Sequence, residues 1–186
     1  MKKVVVVSLP KSGTYLMGNV LQNLGFRNTY KHLSKSGGQE YDPNNLEDGI
    51  KNPRKYDSKK TLKQSLNELQ AGDYALSHLG YDNETADLLK DFFVIYLYRD
   101  EKEIEQSFKR WCEKSGRPYV PWRKDKLDKI SLWKEKADFS LEFNDIINHN
   151  VEKIDQLQIQ LLGNLQLDSK NIIELSIQMD SMTKVR

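Results

Sequence analysis

Cysteine is almost absent from this chain: Cys112 is the single one in 186 residues. That excludes an intramolecular disulfide framework and suits a reducing compartment. Excess charge of one sign is also lacking. The 29 Lys and Arg stand against 27 Asp and Glu, a net charge of +2, too little to point to nucleic acid. No apolar run approaches the length of a transmembrane helix. Met1-Lys2-Lys3 precedes only four valines, too few for the apolar core of a secretory signal. These absences predict a soluble, cytoplasmic chain with no membrane span. His32 and His149 stand isolated, with no Cys or carboxylate at ligand spacing, so no metal is expected. Repeats and low-complexity tracts are missing too. What is present is 38% hydrophobic residues gathered into strong runs beside 30% charged ones, enough for one domain over residues 1–186.

The chain is organised around Val4-Val5-Val6-Val7-Ser8-Leu9-Pro10-Lys11-Ser12-Gly13-Thr14. Four consecutive β-branched residues suit a strand covered on both faces, as in a parallel sheet. Leu16, Val20, Leu21 and Leu24 then recur at helical spacing, and Gly25 sits where a helix C-cap glycine belongs. A strand feeding a short Gly-containing loop and a helix aims several free backbone N–H groups at one point. The helix dipole adds partial positive charge there and Lys11 a full one, so the expected product is an anion site, most naturally for phosphate. The loop lacks the Gly-x-x-x-x-Gly-Lys-Ser/Thr spacing of a Walker A motif, which disfavours an ordinary P-loop NTPase.

Residues 28–60 carry Gly37-Gly38, Pro43, Pro53 and many Asn, Asp and Lys. They read as one long irregular segment, either a wall of an acceptor pocket or a solvated insertion. Helical spacing returns over 58–70, with Leu62, Leu66 and Leu69 on one face. A short strand is predicted over 73–78 and a short helix over 85–90. A second apolar strand, 92–98, ends in Arg99-Asp100 and feeds a helix from Glu101 to about Trp111. A loop is expected over 115–128, mostly helix over 139–162, and a last strand at 171–177. Strand and helix alternate as in a parallel α/β sheet with right-handed crossovers. Ligands of such sheets sit at the carboxyl ends of the strands. Lys11, His78 and Arg99 are all predicted to fall at that edge.

The string Pro10-Lys11-Ser12-Gly13-Thr14 after an apolar strand resembles the 5′-phosphosulfate loop of the sulfotransferases that use 3′-phosphoadenosine 5′-phosphosulfate (PAPS). Arg99-Asp100, a helix, Ser107 and an aromatic such as Trp111 resemble the family's 3′-phosphate motif. Ser77-His78-Leu79 looks like the segment in which a family histidine acts as general base on the acceptor. The resemblance covers about residues 3–111. It implies an α/β three-layer sandwich with a central parallel sheet and P-loop-NTPase-like (sulfotransferase) topology. It also implies PAPS as co-substrate with no metal, and a small-molecule or glycan acceptor. Lys11 and His78 are the implied catalytic residues. Lys11, Ser12, Gly13, Thr14, Tyr15, Arg99 and Ser107 are the implied nucleotide ligands.

The sequence departs from the family pattern at three places. Leu76 stands where the family often has a lysine, and Leu16 where many cytosolic members stack a tryptophan on adenine. After Trp111 no basic Gly-rich segment follows, so the usual C-terminal lid is expected to be missing from these residues. Two other readings stay open: an ATP-dependent small-molecule or nucleotide kinase, and a sulfotransferase-like domain that binds nucleotide without turnover. Cys112 reads as a packed residue, and Asp100 as a helix cap. Lys51, Arg54, Lys55, Lys59, Lys60 and Lys63 form either a solvated face or a surface for an anionic acceptor. The residues leave the acceptor's identity and the oligomeric state undetermined.

Overall fold

The computed structural model of the chain describes residues 1–35, 37–40, 60–163 and 167–184. Among the described residues six strands form one sheet: β1 (Val4–Ser8), β2 (Arg27–Ser34), β3 (Gly37–Glu40), β4 (Asp73–Ser77), β5 (Phe93–Tyr98) and β6 (Phe139–Glu142). Their spatial order is β3-β2-β4-β1-β5-β6. Five strands run parallel, and only the edge strand β3 is antiparallel to its neighbour. β1, the all-valine strand, lies between β4 and β5 with every residue buried. A strand hydrogen-bonded on both edges and covered on both faces has no use for polar alternation, which is why its sequence is a continuous run.

The period of two in β1 divides the core. Val4 and Val6 point to one face and pack with Leu16, Met17 and Val20 of α1 (Thr14–Asn23). The same layer contains α7 (Phe143–Ile147), α8 (Val151–Leu162) and α9 (Ser169–Lys184), through Ile146, Leu157 and Ile172. Val5 and Val7 point to the other face. There they meet Leu66 of α2 (Leu62–Asn67), Leu89 of α3 (Asn83–Leu89) and Ile104 of α4 (Glu101–Ser115). Ile130 of α5 (Lys124–Ser131) and Trp133 of α6 (Trp133–Lys136) complete that layer. The expected three-layer sandwich is therefore present, helices on both faces of one sheet.

Three sequence expectations need correction. The part of the polar segment that is described is sheet: β2 and β3 occupy most of residues 27–40. β2 hid because only Leu33 in it is buried, and because its register slips between Asn28 and His32, where Tyr30 takes a φ of +55°. That slip breaks the period of two that marks a strand. Residues 41–59, with most of the basic cluster, lie outside the described residues.

The second correction is β6, four residues inside a span expected to be mostly helical. Phe139 and Leu141 point inward while Ser140 and Glu142 are half-buried, too short a pattern to stand out. The third is the last strand expected at 171–177, which is instead part of α9. Ile172, Ile173, Ser176 and Asp180 are buried while Leu175 is 41% exposed. That is a helical stripe against α1, not an alternating face. Smaller shifts follow: α4 runs on to Ser115, and α5 begins at Lys124 within the expected loop.

Candidate active site at the carboxyl edge of the sheet

The ends of β1, β4, β5 and β6 lie side by side, since all four strands are parallel and in register with their neighbours. Ser77, Ser8, Tyr98 and Glu142 are their last residues. Each is followed by a residue of the site: His78, the loop beginning at Leu9, Arg99 and Phe143.

The loop closes with the Ser12 amide donating to the Leu9 carbonyl at 3.2 Å. Lys11 and Gly13 both take left-handed backbone, φ +70° and +92°. At Gly13 the sequence has no freedom. A Cβ there would stand 2.3 Å from Cδ2 and 2.7 Å from Cε2 of Phe143. Gly13 caps α1 without a side chain, so no side-chain oxygen occupies the helix's first N–H groups. This is the open helix terminus that an anion needs. Ser12 is fully buried beneath it, and its hydroxyl has no hydrogen-bond partner among the described residues. The Thr14 hydroxyl is committed to Ser8 at 2.6 Å, so what Thr14 offers the site is its backbone amide. Tyr15 is 57% exposed at the same terminus.

Two cations flank the loop. The Lys11 ammonium lies 4.5 Å over the Trp111 ring, and burial pushes its pKa below the ordinary lysine value. Arg99 donates from Nε to Glu103 at 2.8 Å and approaches the Lys11 carbonyl with Nη1 at 3.5 Å. Its guanidinium stacks 4.1 Å over Phe143. Asp100 caps α4, accepting from the amides of Lys102 and Glu103, so that expectation holds. Glu103, Ser107 and Trp111 follow one another at four-residue intervals along α4 and share a face of it. Glu103 touches Arg99 and Trp111 touches Lys11, so the half-buried Ser107 lies on the stretch of helix between the two cations.

His78 follows β4 and stands 2.7 Å from the Ser8 carbonyl through Nδ1. A carbonyl only accepts, so Nδ1 carries the proton and the neutral ring leaves Nε2 as the acceptor. Burial pulls the His78 pKa down to about 4, against the Ser8 carbonyl, which raises it; Lys126 and Lys11 lower it further. His32 from β2 packs beside it, ring centroids 4.6 Å apart, and Tyr15 lies 6.3 Å beyond His32. Burial first, and then His78, hold His32 at about 3. Both rings are therefore neutral at pH 7.

Two of these residues escaped the sequence reading. Phe143 wedges between the loop glycine and the arginine, and it was hidden because β6 was; the alternation Phe139, Leu141, Phe143 is its only sequence signal. In the sequence His32 is an isolated histidine of a polar segment that could form a wall of an acceptor pocket. It reaches the site because β2 pairs with β4, His32 opposite Leu76. Leu16 and Leu76 belong to the core, 0% and 7% exposed. Cys112 is packed, 2% exposed and free. Among the described residues no three metal-ligating side chains cluster, and no helix is long and apolar enough to cross a membrane.

A parallel α/β sheet with a helix N-terminus, a lysine and an arginine on one carboxyl edge is an arrangement that suits an anionic ligand. Sequence and fold comparisons make the class specific. The pattern of the sulfotransferase domain family (Sulfotransfer_4) matches residues 3–160, and the chain belongs to that family. Mouse sulfotransferase SULT7A1, solved in complex with PAP, superposes on 97% of the chain with a TM-score of 0.65 at 16% identity. Retinol dehydratase, solved with retinol and PAP, superposes on 95% with a TM-score of 0.54 at 15% identity. The same enzyme solved with androsterone and PAP gives 0.54 at 14%. At such identities the likeness is one of fold. The chain spans about two thirds of these relatives, 66% and 64% of their lengths. None of the curated proteins matches it in sequence.

Proposed function

We propose that this chain is a PAPS-dependent sulfotransferase that moves a sulfuryl group to a hydroxyl or amine acceptor. The observation that carries the reading is the pairing of two separate cationic centres on one sheet edge with a histidine in the acceptor tautomer beside them. A nucleotide with phosphates at both 5′ and 3′ positions needs two such centres, and the solved relatives hold PAP.

The backbone amides of Gly13 to Tyr15 hold the 5′-phosphate at the α1 terminus, the Ser12 amide being bonded to the Leu9 carbonyl, and Ser12 Oγ gains in that phosphate the partner it lacks. Arg99 gives charge-assisted bonds to the 3′-phosphate through the guanidinium edge that Glu103 leaves uncovered, with Ser107 adding a hydroxyl. The bound nucleotide supplies an activated sulfuryl group. His78 Nε2 accepts the acceptor's proton as the acceptor oxygen forms its bond to sulfur and the bridging S–O bond breaks. Lys11 neutralises the charge that passes to the bridging oxygen and the 5′-phosphate. Lysine and the helix terminus thus do the electrostatic work that Mg²⁺ does in many kinases.

A His78 pKa of about 4 keeps the base unprotonated at neutral pH, but makes it weak. Bound anions favour the imidazolium and raise that value toward the working range. The solved relatives are complexed with retinol and androsterone, which supports a small-molecule acceptor here. The test is transfer of ³⁵S from labelled PAPS to a panel of alcohols, phenols, sugars and amines. The wild type should form labelled product and Lys11→Ala should not. Undiminished transfer by Lys11→Ala would remove the mechanism, and Mg²⁺-dependent phosphate transfer from ATP would reassign the chain to a kinase.

A further inference from the structure

A bulge in β2 sets a second ring against the candidate base. The pairing of β2 with β4 advances from Asn28 opposite Tyr74 to His32 opposite Leu76, four residues in β2 against two in β4. The surplus is absorbed around Tyr30, whose φ is +55°. Side chains pin it there: Asn28 Oδ1 accepts from the Tyr30 amide at 2.8 Å, and the Thr29 hydroxyl donates to the Tyr74 carbonyl at 2.7 Å. A slip of two residues keeps the face on which His32 lies but moves it back along the sheet. Unbroken pairing would bring His32 level with His78. The bulge brings it level with Leu76 instead, one same-face pair further from the carboxyl edge. From there its ring meets that of His78, with 4.6 Å between centroids and 54° between planes. Both ring nitrogens of His32 are buried, and the Tyr15 ring lies 6.3 Å from it.

We propose that His32 is a positioning residue for His78: its ring fixes the tilt of the His78 imidazole, so that Nε2 keeps one direction toward the acceptor. The proposal rests on the sulfotransferase reading above. The Ser8 carbonyl, 2.7 Å from Nδ1, decides which way round the His78 ring sits, but one hydrogen bond leaves the ring free to swing about it. The second side-chain torsion of histidine is broad, so the side chain itself does not stop that swing. A second ring at 4.6 Å does, inside the range of about 4.5–7 Å over which tilted aromatic pairs attract. Burial holds His32 neutral, so it presses on His78 without charge. Its buried nitrogens make it a wall for the base rather than a second base. A base held in its productive direction needs no reorientation at the moment of proton transfer.

The test reads the ¹⁵N shifts of the His78 ring by NMR, assigned by their loss in His78→Gln, together with kcat for ³⁵S transfer and calorimetric 3′,5′-ADP affinity. His32→Leu fills the space without a ring, and His32→Phe keeps one. In the wild type the two ¹⁵N shifts should stand far apart, as in a neutral ring protonated at Nδ1 alone. His32→Leu should draw them together, the mark of mixed tautomers, and lower kcat about 3–10-fold, the worth of one tilted ring pair, with 3′,5′-ADP affinity unchanged. His32→Phe should restore the shifts and most of kcat. Shifts or kcat unmoved in His32→Leu, or His32→Phe as impaired as His32→Leu, overturn the positioning role alone. If the wild type transfers no sulfuryl group, the sulfotransferase reading falls, and the ¹⁵N shifts of the two variants still decide whether His32 orients His78.

Discussion

Replacing Gly13 with alanine tests whether the loop and Phe143, the first residue of α7, are built as one unit. Two separate costs are expected. An L residue at φ +92° carries the left-handed penalty, about 1–2 kcal/mol. The new Cβ would also stand 2.3 Å from Phe143 Cδ2, well inside the 3.5–4.0 Å at which carbon atoms attract. The ring must move by more than 1 Å, and overpacking of that kind costs about 1–3 kcal/mol. The sum is about 2–5 kcal/mol, read from urea unfolding. The partition is checkable. Phe143→Val removes both clashing ring atoms, so Gly13→Ala in that background should cost only the backbone part. A coupling of about 1–3 kcal/mol is expected between the two sites. Equal costs of Gly13→Ala in both backgrounds would show that Phe143 does not constrain the loop, and the reasoning fails.

The two half-buried histidines give a pH signature. Their folded pKa values, about 3 for His32 and about 4 for His78, lie below the ordinary 6.5, so the unfolded chain binds protons first. Stability is fully present above pH 6.5 and falls as pH drops through the folded values, by about 1–2 kcal/mol per histidine between pH 7 and 5. His78→Gln should remove about half of that acid loss, and an unchanged acid slope would refute the burial argument. The same variant should lower kcat by about 10²–10⁴-fold, the usual worth of a general base, without changing 3′,5′-ADP affinity. Retention of kcat would move the base elsewhere, with His32 the nearest ring.

The interior strands and the loop were legible because their chemistry is local. Val4–Val7 and Phe93–Tyr98 need apolar side chains wherever they sit in a parallel sheet. Gly13 and the α1 periodicity announce an open helix terminus beside Lys11 without tertiary knowledge. The places of Arg99, just after β5, and of Ser107, within α4, were readable because a strand and the helix that follows it fix their spacing. β2 was not legible, because its strand character comes from backbone pairing to β4 while its side chains stay polar and half-buried. With β2 went His32, which reaches His78 only through that pairing. β6 took Phe143 with it for the same reason. α9 looked like a strand at Ile172-Ile173 because a short apolar run does not declare its period; its buried face against α1 does.

The central claim is that this edge holds two phosphates of one nucleotide. It is tested most directly by calorimetric titration of the wild type and Arg99→Ala with 3′,5′-ADP and with 5′-AMP. Charge-assisted bonds of about 1.5–3 kcal/mol to the 3′-phosphate predict roughly 10–150-fold tighter binding of 3′,5′-ADP by the wild type. Arg99→Ala should erase most of that preference while leaving 5′-AMP affinity in place. Equal affinity of the wild type for both nucleotides, or tighter binding of ATP with Mg²⁺, would contradict the account.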